Sequence, residues 1–584
     1  MKTNIFKLIT NKQTSVSSAT FVITAIIIIT KIIAFFKIRI VAHYFGTSTD
    51  LDTFWIANTI PDALFTALSA GMFSSAMIPL LAKKSNQDRE KFNETFSRIL
   101  VFFSLLFAAV TILLILLAPQ ITDIYIRSLE NPKLYNPDMM TKFTRLLAIS
   151  PLILSLSTVI MAGLQVKRRF FISSLSMPLH TIGTIVGIIV YAQFGNHGTA
   201  TPIMGMVYGT IIGTIAHLLI QIPGLKAINY SFIFPKPLFG PQIKYLFKQS
   251  TPRIFTLINE YIPKFHAIQI CLQLGGGAYS AFTYASQLYV IPAGIIGHSL
   301  SQALFPKITS LAQDGNKEKI SEIVSRALNF ILFSTIPISA IILILRFPIV
   351  RVFLSTGLFD WEDIVITSWA LALFAIAIVF SSLKPVILRV YYAIDDTITP
   401  LVVSIIATIQ VIVGNILLSN LWSNYPGIDR FKDAIINLTK EQIYDLPSTI
   451  FRLLTTRGTS YSAVGGITLS ISLALVTEFV LLTLLVRKRI RIPIRFLTRE
   501  VIKKIIAGIV MTIFLYVFKL VPTIILDTER TLDTLLIIIV NCVVGIIIYL
   551  LTLALLKDQS LKDIFTTLKK YFNRFYLIFK EYRK

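Results

Sequence analysis

Apolar residues run for twenty or more positions at a time along this chain, and polar residues gather in the short stretches between. A helix crossing about 30 Å of hydrocarbon needs roughly 20 such residues. Fourteen runs of this kind lie near 17–45, 51–82, 96–118, 143–165, 172–194, 203–223, 250–273, 278–306, 324–346, 363–393, 398–419, 461–486, 505–524 and 533–556. They predict an all-α polytopic membrane protein with about 14 transmembrane helices. Several runs exceed the required length, which predicts tilt, kinks or interfacial extensions. The opening segment, with Lys2, Lys7 and Lys12, imitates a signal peptide, but no small-residue cleavage site follows it and the apolar run continues past Lys31. It reads as a retained first helix.

Composition agrees. Of 584 residues, 54% are hydrophobic and only 15% charged, whereas a soluble surface needs roughly a quarter charged. The net charge of +25 points to basic loops kept on the cytoplasmic side rather than to nucleic acid. Segments on the N-terminal side of the membrane hold 33 Lys and Arg, and the opposite loops hold 9, so both termini are expected in the cytoplasm. Cys271 and Cys542 lie in apolar stretches, and neither a disulfide framework nor a metal site is expected. Residues 420–460 read as a long external loop. The basic tail 557–584 reads either as an amphipathic helix on the anionic inner leaflet or as a simple cytoplasmic extension.

An internal repeat organises the spans. Aligning Pro79 with Pro306 pairs Ser74 with Ser301 and Ala76 with Ala303, and a Gln-Asp pair follows each proline (Gln87-Asp88, Gln313-Asp314). Spans four and ten each run through a basic turn to a proline near the start of the next span (Pro178, Pro400). Two pseudo-symmetric six-helix lobes around a central cavity are predicted, related by an axis along the membrane normal. The expected divisions are an N-terminal lobe 1–223, a cytoplasmic linker 224–249, a C-terminal lobe 250–486, a basic loop with spans thirteen and fourteen at 487–556, and the tail 557–584.

Ionisable residues inside spans usually face a cavity or a partner. Lys31, Lys37 and Arg39 occupy the first span with no acid beside them, which favours a cavity-facing cationic site over snorkelling to the interface. Asp52 and Asp62 fall about 80° apart on one flank of span two, where they could pair with those cations. Glu260 and Lys264 stand at i,i+4, the favourable order for a helical ion pair. With His266 they form either an ion-coupling element or a self-neutralised pair. Gln287, His298, Gln302, Lys384 and Glu478 are further polar candidates. No phosphate-binding glycine loop with Lys-Ser/Thr is present, so no enzyme and no cofactor is expected. Energy would come from an ion gradient, the membrane potential or mass action.

The stretch from Lys31 to Lys84, KIIAFFKIRIVAHYFGTSTDLDTFWIANTIPDALFTALSAGMFSSAMIPLLAKK, resembles the MviN/MurJ family of lipid II flippases. That family belongs to the multidrug/oligosaccharidyl-lipid/polysaccharide exporter superfamily. The runs YASQLYVIPAGIIGHSLSQALFPKITSLA (284–312) and VYYAIDDTITPLVV (390–403) carry the same resemblance. Lys31 and Lys37 fall where the family has two functional arginines, and Asp52 falls on the family's aspartate. The resemblance implies a bacterial cytoplasmic-membrane flippase whose cationic cavity grips the diphosphate of an undecaprenyl-linked disaccharide-peptide. It also implies a lateral gate between spans one and eight, and an isoprenoid groove at spans thirteen and fourteen. Expected partners are that lipid-linked diphosphate, membrane lipids, a coupling ion (Na+ or H+) or the membrane potential, and cell-wall synthesis proteins. The chain departs from the family pattern at Phe65, Thr66, Ala70, Gln287 and Val290. Rival readings are a flippase for another lipid-linked oligosaccharide, a multidrug exporter, and a transport-inactive scaffold for cell-wall enzymes.

Overall fold

The computed structural model describes residues 16–70, 76–127, 132–195, 202–424, 463–487, 489–490, 494–527, 530–558 and 561. Among them no strand occurs. In the first half the helices are α1 (Val16–Phe45), α2 (Thr49–Phe65), α3 (Ile78–Gln87), α4 (Arg89–Arg127), α5 (Pro137–Leu147), α6 (Ile149–Val166), α7 (Phe170–Phe194), α8 (Pro202–Leu219), α9 (Ile222–Ala227) and α10 (Pro241–Leu274). The second half holds α11 (Ala278–Ala293), α12 (Ser299–Gln313), α13 (Lys317–Leu354), α14 (Trp361–Ala393), α15 (Ile398–Asn424), α16 (Ala463–Arg487), α17 (Ile494–Phe518), α18 (Leu520–Ile525) and α19 (Thr531–Leu555).

Eleven helical stretches among the described residues are long and apolar enough to cross a membrane. The runs at α1, α2 and α10 are not among the eleven. α2 has only 17 residues before its regular winding changes, and α10 carries Lys244, Lys248, Glu260 and Lys264. α1 borders residues outside the description. Nearly all of the loop 420–460 also lies outside it, as does the tail 557–584 apart from Lys557, Asp558 and Leu561.

The two halves share an irregularity. α2 contains Pro61 and passes into a π turn at Thr66–Ala70, and α11 contains Pro292 and passes into a π turn at Gly294–His298. Proline removes a backbone donor and crowds the preceding turn, and a π turn absorbs the extra residue. With Pro79 set on Pro306, the two π turns coincide to within one residue. Ser74 itself lies outside the described residues.

The chain forms two compact units, residues 1–280 with 354–363, and residues 281–353 with 364–584. α10, which the repeat groups with the C-terminal lobe, packs in the first unit against α2 and its π turn. The core of that unit stacks Phe92, Phe96, Phe103 and Phe107 of α4 on Val159 and Leu164 of α6. Beside it α7 and α8 meet backbone to backbone through Gly183, Gly187, Gly205, Gly209 and Gly213, the small-residue packing that substitutes for hydrophobic drive within lipid. A Cβ on Gly209 would stand 2.5 Å from the Gly183 carbonyl oxygen and 2.9 Å from Gly187 Cα.

The second unit repeats the device at α15 and α16, where a Cβ on Gly414 would meet Ser470 Oγ at 2.5 Å. Its core joins Ile331, Ile387, Val390, Tyr391 and Leu482, and Tyr391 donates to the Leu482 carbonyl at 2.8 Å. The Asp-Asp-Thr-Ile-Thr-Pro run is a helix start. Asp396 accepts from Thr399 N at 3.0 Å and Thr399 Oγ1 at 2.7 Å, capping α15. Burial alone would raise its carboxyl, but these bonds and Arg489 at 2.5 Å hold it below the ordinary range.

Candidate functional site

The turn between α1 and α2 is clasped by residues 354–363 of the same unit. Leu358 N donates to the His43 carbonyl at 2.9 Å, and His43 Nδ1 and Thr356 Oγ1 are 2.7 Å apart. Thr47 N donates to Asp363 at 3.0 Å, and the Thr47 hydroxyl bonds the same carboxylate. Gly46 turns the chain at φ +53 with that carboxylate against it, a place for glycine alone.

Asp52 belongs to this framework. It is fully buried. One carboxylate oxygen accepts from Ser280 N and Oγ, both at 2.6 Å, and the other from Gly277 N at 2.7 Å and Tyr135 Oη at 2.9 Å. Four donors saturate the two oxygens. This geometry ties α2 to the Gly275–Gly277 turn and to Tyr135, an anchoring arrangement that occupies both carboxylate oxygens.

Further along α2, Trp55, Asn58 and Asp62 recur at helical spacing on one stripe. Lys37 of α1 stands over the Trp55 ring at 5.9 Å and lies within electrostatic reach of Asp62 and His180. It is half-buried and makes no hydrogen bond among the described residues, so its ammonium keeps three donors for a ligand. Asp62 accepts from Tyr261 Oη of α10 at 2.8 Å, and Lys264 Nζ is 4.0 Å away, at the outer limit of an ion pair. The Thr66 hydroxyl in the π turn donates in turn to Tyr261 Oη, 3.1 Å away. Lys264 thus pairs across helices with Asp62 and lies over the Tyr261 ring at 5.2 Å, while Glu260 on the same helix is exposed.

Asp62 opens onto a cavity of about 390 Å³ between α2, α6, α7 and α8. Its polar lining includes Asn58, Ser150, Thr158, His180 and His217, with proline, leucine and methionine side chains between them. Ser150 Oγ is buried without a partner among the described residues. His217 Nδ1 lies 2.6 Å from Ser157 Oγ, which also accepts from Gln221 Nε2 at 2.5 Å. That network fixes the ring and leaves Nε2 as its other hydrogen-bonding atom.

The three cations of α1 do not act from one place. Lys31 is exposed on a face shared with Ile28, Ile32 and Phe36, each more than half exposed, and Arg39 is half-buried. Gln287 is half-buried and His298 exposed, both in the second unit. In that unit Lys384 Nζ meets Glu478 Oε2 at 3.0 Å, a largely buried pair. No group of three His, Cys, Asp or Glu able to hold a metal occurs among the described residues. The arrangement suits binding: an unspent ammonium on an aromatic ring, a carboxylate held through a tyrosine, and a lined cavity. Tyr261 was legible only as the residue three before Lys264, on the same helical face, and Tyr135 left no signal.

A family model for the lipid II flippase MurJ matches residues 41–426. Relatives named "Probable lipid II flippase MurJ" occur in Borreliella burgdorferi and in Buchnera aphidicola subsp. Schizaphis graminum. The first is 26% identical over 68% of this chain and 76% of its own length, the second 29% identical over 65% and 73%. Among solved structures, "Lipid II flippase MurJ, inward closed conformation" superposes with a TM-score of 0.69 at 21% identity, over 92% of this chain and 98% of that one. An inward-facing multidrug resistance MATE transporter of the MOP superfamily gives 0.59 at 15% identity, over 79% and 94%. These likenesses fix the fold.

Proposed function

Because the chain belongs to the MurJ family of lipid II flippases, we infer that it carries lipid II from the inner to the outer leaflet of the bacterial cytoplasmic membrane. It is a multi-pass membrane protein and a transporter rather than an enzyme. The observation that carries the reading at residue level is Lys37, a half-buried ammonium with no hydrogen bond among the described residues, held over Trp55. A diphosphate is the part of lipid II that such a group recognises, and lysine meets it as a point charge where arginine would fork. Lys31 and Arg39 extend the positive field along α1, and both termini lie in the cytoplasm.

Transport proceeds by alternating access. Asp62 sits within the field of Lys37, so an arriving diphosphate competes with that carboxylate for the ammonium. The Asp62 bond to Tyr261 passes the change to α10. A coupling ion (Na+ or H+) or the membrane potential supplies direction, and cell-wall synthesis proteins are its partners. The test is complementation of cells depleted of their own lipid II flippase, with lipid II measured on each leaflet. The native chain restores external exposure, Lys37→Glu abolishes it, and Lys37→Arg retains it. Full external exposure with Lys37→Glu would reject the assignment of the diphosphate to this residue, and no exposure with the native chain would reject the function.

A further inference from the structure

α13 breaks near its C-terminal end. Leu345 leaves helical geometry at φ −96 and ψ 18, three residues before Pro348, whose missing N–H orphans a carbonyl in the turn before it. Arg346 lies within the break, and its Nη1 donates to the Leu343 carbonyl at 2.8 Å. The kink sets the guanidinium between two rings, 4.9 Å from Phe347 and 4.8 Å from Trp369 of α14. Its Nε is buried without a hydrogen-bond partner among the described residues.

Lys519, at the junction of α17 and α18, stands 4.5 Å over the Tyr516 ring and within electrostatic reach of Arg346. Neither cation has a carboxylate partner among the described residues. Like charges gathered from separate helices repel unless an anion joins them. The surface beside them is greasy: Tyr516, Val517 and Leu520 are each at least 60% exposed. In a membrane-spanning chain such side chains face lipid, and Trp with Tyr marks the headgroup level. A ligand that satisfies both features carries a negative phosphate and hydrocarbon on one molecule.

We propose that Arg346 and Lys519 bind the phosphate of an anionic membrane lipid, with its acyl chains along α17 and α18. Arg346 supplies directional N–H donors and Lys519 a point charge, while Trp369 and Tyr516 hold the two cations by their ring faces. No residue of the first unit takes part, so the site is separate from Lys37, although α17 and α18 fall in span thirteen, where the resemblance implies the isoprenoid groove.

The experiment is lipid retention by the purified full-length chain, read by native mass spectrometry against phosphatidylglycerol, phosphatidylcholine and inorganic phosphate. Phosphatidylglycerol should be retained in preference to phosphatidylcholine. Lys519→Gln should weaken that retention about fivefold, the effect of one basic residue near an anionic surface, and Lys519→Arg should preserve it. Arg346→Gln should weaken it too, but Arg346 also bonds the Leu343 carbonyl within its own helix, so Lys519→Gln is the deciding variant. Unchanged retention in Lys519→Gln, or equal retention of the two lipids, would overturn the proposal. Displacement of the lipid by millimolar phosphate would also overturn it, reassigning the site to a soluble anion.

Discussion

Replacing Asp52 by asparagine separates two roles that look alike in sequence. The carboxylate receives two backbone N–H groups and two hydroxyls at 2.6–2.9 Å. An asparagine keeps one oxygen and turns an NH₂ toward the other pair. The hydroxyl of that pair, Tyr135 or Ser280, can rotate and accept. The backbone N–H, of Gly277 or Ser280, cannot. One charge-assisted bond worth about 1.5–3 kcal/mol is lost, and one buried donor is stranded at about 1–3 kcal/mol, giving roughly 3–5 kcal/mol in all. At about 2 °C per kcal/mol for a unit of this size, the apparent melting temperature in detergent should fall by roughly 6–10 °C. Intrinsic fluorescence on heating measures it. If Asp52→Asn melts within about 2 °C of the native chain and yet fails to bind or transport substrate, the anchoring argument is wrong and Asp52 is a ligand residue.

Three further outcomes are expected. Glu478→Gln removes the carboxylate that meets the Lys384 ammonium at a site where it is only 18% exposed, costing about 3–5 kcal/mol. The double change Lys384→Met with Glu478→Leu should recover most of that loss in the same melting assay. Asp396 is held below the ordinary carboxylate range, so its contribution is present above the unfolded value of about 3.9 and disappears as pH falls through the lower folded one. The stability gap between the native chain and Asp396→Asn should therefore be constant from pH 5 to 8, as estimated from those values, and close on further acidification. A gap that widened toward low pH would contradict the assignment. Gly209→Leu should lower the melting temperature, since its Cβ meets the backbone of Gly183 and Gly187 rather than a movable side chain. Overpacking of this kind costs about 1–3 kcal/mol, and an unchanged melt would show that the helices can part there.

Spans announce themselves because hydrocarbon demands length and apolarity, and both are written in residue types. The repeat was visible through its prolines for the same reason, though the π turns that follow them were not. Pairing is a different matter. A charge in a span signals that it needs a partner without saying which. Lys384 and Glu478 stood out separately, 94 positions apart, and Lys264 looked toward Glu260 although Asp62 meets it from another helix. Asp52 was grouped with the ligands because it falls on the family's aspartate, whereas its partners are two backbone N–H groups, which no letter represents, and two hydroxyls far along the chain. Lys37 and Lys31 were indistinguishable as letters, and only the Trp55 ring and the neighbouring carboxylate set one apart.

The glycine contact between α7 and α8 also bears on motion. Where two backbones touch with no side chains between, nothing can rotate to a new rotamer, so the pair must travel as a single stiff plank. Any rearrangement within the first unit then falls to members already carrying a break. α2 is the one at hand, with Pro61 and its π turn just beyond the stripe that bears Trp55 and Asp62. A hinge there would swing α3 while the polar stripe kept its seat.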